Sequence, residues 1–454
     1  MPAKAKVSWI FGTILFITAL TQIRTTAALA FVIRMEGDGN GSPVQTASAL
    51  YASAPDGQLV KVIEAGAPAP NGGTISDIGT PALGSDGSLI FGAEITLSRS
   101  ASWRIFRASF NTRREVRIEQ VIDDSATGEG CRPVLNMDPY VSAGSDGSFV
   151  FVAPEQSGGV ALFRYAKGHI DCEIRVGDRT AEGQVVANLG FGSAQEADNG
   201  ATVVQAYLAR GPDGARRHST RNAILLATPT ASAKEIAVEG NLTDHGARYK
   251  EHFGLPAISF AGGKTLVAFT NQDAKGGALF VGQTGKLLRT IATGSRTQRG
   301  PLTFLSDGRP SLGDDGAVAM KAATRKGSLI VLIRARKPYV IAQEGDNLGA
   351  SHNLTGLGDP AAEVAGVLYA EGSDEQNRSR VYSFSATGSQ TDASKTSDVL
   401  SSAIEVFPSS FAINRGGRFA FLESRVAGAE TIVSHAGRSR RKASDTQFDQ
   451  RDEL

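Results

Sequence analysis

One phrase recurs along this chain and limits what the chain can become. Ser85 to Phe91 reads SDGSLIF, and Ser145 to Phe151 reads SDGSFVF. Aligned on the glycine, the same sentence returns at Gly87, Gly147, Gly200, Gly263, Gly316, Gly366 and Gly417, at spacings of 60, 53, 63, 53, 50 and 51 residues. A period of this size is the mark of a repeat architecture, in which one unit cannot bury its own apolar faces and neighbours must stack.

Each glycine is followed by a run of β-formers: SLIFGAEI, SFVFVAP, ATVVQAYL, KTLVAFT, AVAMKAA, VLYAE and RFAFLE. Most are preceded by a proline, at Pro81, Pro139, Pro256, Pro310, Pro360 and Pro408. Short alternating runs bounded by such residues read as strands, and SDG as the turn between two of them, with Gly free to take positive φ and Asp able to bind the local backbone. A second strand follows in each unit (WRIFRA at Trp103, ALFRYA at Ala161, SLIVLIR at Ser328), then a third (EVRIEQVID at Glu115, CEIRVGD at Cys172, YVIAQEG at Tyr339). With the segment between proline and turn, the unit holds four strands, and no amphipathic helix intervenes. Four short strands per repeat predict a propeller blade.

The expectation is therefore an all-β fold, a seven-bladed β-propeller over residues 59–437. The last repeat runs out at ETIVSH, from Glu430, while an orphan strand, LVKVIEAG from Leu59, precedes the first unit. Placing that N-terminal strand on the last blade completes seven blades and covers two sheet edges. FVIRMEG at Phe31 and ALYAS at Ala49 belong to an N-terminal extension, 31–58, with no assigned place.

The units lack the WD dipeptide and the kelch double glycine. They resemble instead an uncharacterised class of secreted bacterial β-propeller-like repeat proteins, whose units run strand, Gly-Asp, loop, Gly-x-Pro, turn glycine, apolar strand. The matching pieces are EGD at Glu344, VGD at Val176, IGTP at Ile78, FGLP at Phe253 and LGDP at Leu357. The third repeat departs by lacking the proline, and the fourth has GGK at the turn. The resemblance implies a fold and assigns no catalytic residue.

Residues 1–30 read as a signal peptide: Lys4 and Lys6, an apolar run from Val7 to Leu20, and a small-residue close at Ala28-Leu29-Ala30. An uncleaved anchor is the alternative, but either way the remainder is expected to be secreted or periplasmic, with no later membrane span. In an oxidising compartment Cys131 and Cys172, the only two cysteines, are expected to bond; a redox or metal pair would call for CxxC spacing. The 47 Lys and Arg against 46 Asp and Glu leave no field to hold a nucleic acid. Residues 438–454 read as a disordered charged tail ending in RDEL, an address for the endoplasmic reticulum lumen only if the source is eukaryotic.

Function is sought in the loops leading into each blade, which propeller analogy brings together near the axis. Candidate ligand-binding residues there are Asp178, Asp244, His245, His252, Asp346 and His352. No metal site is assigned, since the histidine spacing fits no standard ligand set; calcium on the Asp positions lacks a DxDxDG run. No GxSxG, HExxH or P-loop occurs. The chain is read as a monomeric scaffold binding an unknown protein or glycan ligand. The alternative is a glycan-active hydrolase or lyase with inter-blade carboxylates at the axis.

Overall fold

The computed structural model describes residues 46–53, 59–98, 100–111, 115–123, 131–145, 147–209, 220–229, 231–243, 246–347, 353–364, 367–375, 379–385, 397–398, 412–413 and 419–425. The regular elements among them are all β-strands. They form seven sheets of four or five strands and a two-stranded ribbon, Arg296–Thr297 with Gly300–Pro301.

The first sheet shows the plan. A broken inner strand, Thr74–Ile78 then Ala82–Leu83, pairs with Leu89–Leu97; Ser100–Phe110 and Val116–Ile122 follow outward, all antiparallel. The inner strand breaks where Pro81 stands, because proline has no N–H to give the ladder. The turn between inner and second strand is the SDG phrase: Gly87 has φ +82°, and Asp86 Oδ1 accepts from the Ser88 N–H at 2.9 Å. Asp315 and Asn199 do the same for Ala317 and Ala201, at 2.9 and 3.2 Å.

The innermost strands touch in chain order. Ala82–Leu83 meets Ser142–Ala143, then come Gln195–Glu196, Ala257–Ala261, Ser311–Leu312, Gly356–Val364 and Ala412–Ile413, and the last of these meets Ala82–Leu83 again. This cyclic order makes the fold β-propeller-like.

Closure differs in detail from the expectation. Thr46–Ser53 pairs directly along Phe419–Arg425, with Leu50 opposite Leu422, and Leu59–Glu64 pairs outside it. The N-terminal segment thus supplies two strands of the closing sheet, and ALYAS takes the third-strand position assigned above to ETIVSH. ETIVSH, FVIRMEG, Gly366, Gly417, residues 1–30 and the tail 438–454 lie outside the described residues.

Apolar layers fill the spaces between sheets. Leu50, Ala52, Val62 and Ile63 of the N-terminal strands pack with Ile75, Ile78, Leu89 and Phe91 of the first sheet. In three sheets a phenylalanine pair stacks directly across the two central strands: Phe91 with Phe106 at 5.7 Å, Phe151 with Phe163 at 5.3 Å and Phe269 with Phe280 at 5.7 Å. Among the described residues no helix is long and apolar enough to cross a membrane.

Cys131 and Cys172 form a disulfide, with Cα atoms 6.4 Å apart and a sequence separation of 41. It pins the loop before the second sheet to that sheet's outermost strand, His169–Arg175. A closed loop of this size stabilises by about 4 kcal/mol in the chain-entropy model. Reduction, or Cys172→Ser, is expected to lower urea-unfolding stability by that order; an unchanged midpoint would show the bond contributes nothing.

Candidate functional site

The lead-in loops form a repeated hairpin. Isolated bridges close four of them, at Pro68–Thr74, Arg179–Val185, Leu242–Arg248 and Asn347–Asn353, and the ribbon at Arg296–Pro301 is the fifth. At the hairpin base the Gly-Asp aspartates are structural. Asp178 Oδ2 accepts from the Arg175 N–H at 2.8 Å and Asp346 Oδ2 from the Gln343 N–H at 2.9 Å, while Asp346 Oδ1 meets Arg299 at 3.1 Å.

Two of these hairpins turn toward an outer strand. The Ala181 N–H donates to Ala233 O at 2.8 Å and the Glu235 N–H to Glu182 Oε2 at 3.0 Å. Val340 N–H likewise donates to Gln298 Oε1 at 3.2 Å. The physical reason is that an outermost strand presents unpaired N–H and C=O groups, and the adjoining loop covers them. His252 is exposed, with its carbonyl accepting from Asn271 Nδ2 at 2.9 Å. The structure therefore does not join Asp178, His252 and Asp346 by hydrogen bonds; Asp244, His245 and His352 lie outside the described residues. Among the described residues no three His, Cys, Asp or Glu side chains gather to hold a metal ion.

Neighbouring sheets meet at the position just before the repeat proline. It holds Thr80, Asp138, Leu255, Arg309 and Asp359. Most of these clamp one sheet to its neighbour. Asp138 Oδ2 accepts from the Thr80 N–H at 3.2 Å, the Leu255 N–H donates to Asp307 O at 2.7 Å, and Asp359 Oδ1 accepts from the Ser306 hydroxyl at 3.1 Å. Burial pushes the Asp359 carboxyl up, with Asp307 beside it adding to the effect and the Ser306 hydroxyl and Lys321 opposing it.

Arg309 does something else. Its Nη1 donates to Pro256 O at 2.9 Å, and its Nη2 to Gly192 O at 2.9 Å and Ala194 O at 3.3 Å. One side chain of the fifth sheet thereby holds the inner segments of the third and fourth, a reach that passes through the interior of the ring. Burial alone pulls its guanidinium down to about 10, with no carboxylate among the causes, so it is a cation at neutral pH.

Gly192 stands where the other repeats carry proline, with φ +67°. The Tyr140 ring lies against it, 3.5 Å from the point a Cβ would occupy. Tyr140 itself has φ +44°, unusual for a bulky residue, and its N–H is held by Asp138 Oδ1 at 3.2 Å. The sequence signals for this cluster are the third repeat's missing proline and the one basic residue among the pre-proline positions named above.

A second polar cluster lies between the second and third sheets. Arg164, nearly buried, donates to Gly200 O, to Glu196 Oε1 and to Glu173 Oε1, the last at 3.1 Å; Ser148 Oγ donates to Glu196 Oε1 at 2.9 Å. Glu173 Oε2 and Thr202 Oγ1 are both buried without a hydrogen-bond partner. Burial pushes the Glu173 carboxyl up from its ordinary 4.5, with Arg164 and the Thr202 hydroxyl opposing and Asp171 adding to it. A proton on Oε2, aimed at the Thr202 hydroxyl, would satisfy both groups. A raised folded-state value means that the stabilisation is complete below pH 4.5 and is lost as pH rises through the raised value. Glu173→Gln, which mimics the protonated acid, is expected to remove this loss and to be at least as stable as the parent at pH 7. A marked destabilisation in urea titrations at pH 7 would show that Glu173 acts there as a carboxylate.

No curated protein shows significant sequence similarity to the chain. Among solved structures, an acylaminoacyl peptidase of Pyrococcus horikoshii is similar at TM-score 0.39 and 8% identity, over 74% of this chain and 46% of that one. A polysaccharide lyase is similar at TM-score 0.42 and 10% identity, over 84% of this chain and 97% of that one. A six-bladed β-propeller lectin of Aleuria aurantia is similar at TM-score 0.30 and 7% identity, over 68% and 96%. The chain spans about half the length of the peptidases it resembles. In sequence the match is to one family, over residues 23–331, and the chain belongs to it: the family of unknown function DUF7453.

Proposed function

We propose that the protein is an exported, seven-bladed β-propeller that serves as a ligand-binding scaffold, with each of the seven sheets a blade and the ligand at the axial opening. The observation that carries this reading is Arg309, which crosses the interior to the carbonyls of Gly192, Ala194 and Pro256 and brings a cation to the backbone of Gly192, which the Tyr140 ring also contacts. Departures from a repeat's own rule are expected where function overrides structure, and Gly192 and Arg309 are such departures. The disulfide supports an oxidising compartment and hence export.

Binding is favoured over glycan cleavage by what the acids do. Asp138 and Asp359 each give a carboxylate oxygen to a neighbouring sheet, so neither is held ready as a proton donor or nucleophile. The test is a thermal-shift screen of glycans, small metabolites and divalent metals with a chelator control. A ligand at a hundredfold over its Kd stabilises the folded state by about 2.7 kcal/mol. The shift is expected to weaken in Arg309 and Tyr140 variants and to survive Arg299→Ala on a lead-in hairpin. A shift lost with the hairpin variant and untouched by the axial ones would move the site to the loops.

A further inference from the structure

Resting on that reading, we infer that the axial site takes an oxyanion, a carboxylate held by Arg309 and flanked by the Tyr140 ring. Arg309 has five N–H donors, of which three are taken by the carbonyls of Pro256, Gly192 and Ala194. The guanidinium is desolvated while the residue as a whole keeps some exposure, and two of its N–H donors are not taken by those carbonyls.

The contrast with the other inward arginines supports this. Arg164 is neutralised by Glu173 and Glu196, and Arg107 by Glu119 at 3.4 Å, each also capping the carbonyl of the next sheet's turn glycine. Arg309 has carbonyl acceptors and, among the described residues, no carboxylate within salt-bridge distance. Backbone carbonyls orient a guanidinium but do not cancel its charge, which leaves Arg309 able to gain from a charge-assisted bond that the other two already have.

Tyr140 supplies the second wall. Its ring and the Arg309 guanidinium both lie against Gly192, one at the α-carbon side and the other at the carbonyl. Gly192 has φ +67°, which proline, fixed at about −65°, cannot adopt, and the Tyr140 ring is in van der Waals contact with the position a Cβ would take. An aromatic face beside a cation suits a flat or ring-shaped acid, such as an acidic sugar, better than an inorganic ion. A free small carboxylate shares the anionic chemistry, and the test separates the two.

The experiment is calorimetric titration of the purified protein with an oligogalacturonate, a neutral oligosaccharide of equal length, and citrate. Oligogalacturonate is expected to bind, and raising NaCl from about 0.05 to about 0.5 M, which shortens the Debye length roughly threefold, to weaken it. Arg309→Gln is expected to lower affinity about tenfold or more, as loss of a charge-assisted bond does, with Arg309→Lys intermediate. Tyr140→Ala is expected to weaken the oligosaccharide more than citrate; equal binding of citrate would make the source a small carboxylate and leave the anion site standing. If Arg309→Gln melts early, the salt series and the three-ligand comparison on the parent protein decide. Binding of the neutral oligosaccharide alone, insensitive to Arg309, would overturn the anion site and keep the scaffold reading. No binding by any of the three, with the parent folded, would overturn the anion site outright, while the wider ligand screen separately decides the scaffold reading.

Discussion

Deleting residues 46–64 is expected to abolish cooperative folding. These residues form two of the four strands in the closing sheet, with Thr46–Ser53 hydrogen-bonded along Phe419–Arg425 and Leu59–Glu64 along Thr46–Ser53. Their removal exposes the edge of Phe419–Arg425 and the face of the first sheet at Ile75, Leu89 and Phe91. Leu50, Val62 and Ile63 are each buried, and burial of such side chains contributes about 1.5–3 kcal/mol apiece. Together with the lost ladder this rivals the whole stability of a domain, about 5–15 kcal/mol. The truncated chain is expected to show no sharp thermal transition by circular dichroism and to aggregate through its open edge. A truncated protein that melts cooperatively within a few degrees of the parent would place the N-terminal strands outside the ring.

Arg164→Met is expected to cost about 3–5 kcal/mol, the usual effect of removing one member of a buried ionic set. The charge lies between Glu173 and Glu196, whose side chains are 4% and 0% exposed, and without it Glu196 is a buried carboxylate with no cation beside it to offset its desolvation. The change also frees Gly200 O, which Arg164 caps at the next sheet's turn. Chemical denaturation at pH 7 gives the magnitude. Neutralising the partners as well, in Arg164→Met with Glu173→Gln and Glu196→Gln, is expected to recover most of the loss, because replacing a buried ionic set whole removes the desolvation cost along with the attraction. Failure of the triple variant to recover would make the Gly200 cap, rather than charge burial, the cause.

The fold was legible because its rules are local. SDG needs a positive-φ glycine and an Asx turn, and Gly87, Gly147, Gly200, Gly263 and Gly316 all supply the first. Proline before the turn breaks the inner strand at Pro81, Pro256 and Pro310, and shifts its register at Pro360. Closure was legible only in part, since ALYAS reads as a strand like any other and only its pairing with Phe419–Arg425 shows its place.

The site was harder to read, for a physical reason. Asp178 and Asp346 draw attention as acids in glycine-rich loops, yet each closes a turn on the N–H three residues back. Arg309 sits in SDGRP, which looks like the turn phrase with a proline attached, and its partners are backbone carbonyls in other sheets that no side-chain motif can announce. Comparing equivalent positions across repeats, rather than scanning for clusters of ligand residues, is what separates it from Asp138 and Asp359.

The most direct test of the ring is amide hydrogen exchange across residues 46–64, followed by mass spectrometry on the intact folded protein. Strands that complete a closed sheet open only with the ring, so the amides of Leu50 and Ala52 are expected to exchange as slowly as those of Leu89–Leu97 in the first sheet. Exchange of 46–64 at the rate of an unstructured peptide, while Leu89–Leu97 stays protected, would contradict closure by the N-terminal strands and with it the axial site that closure creates.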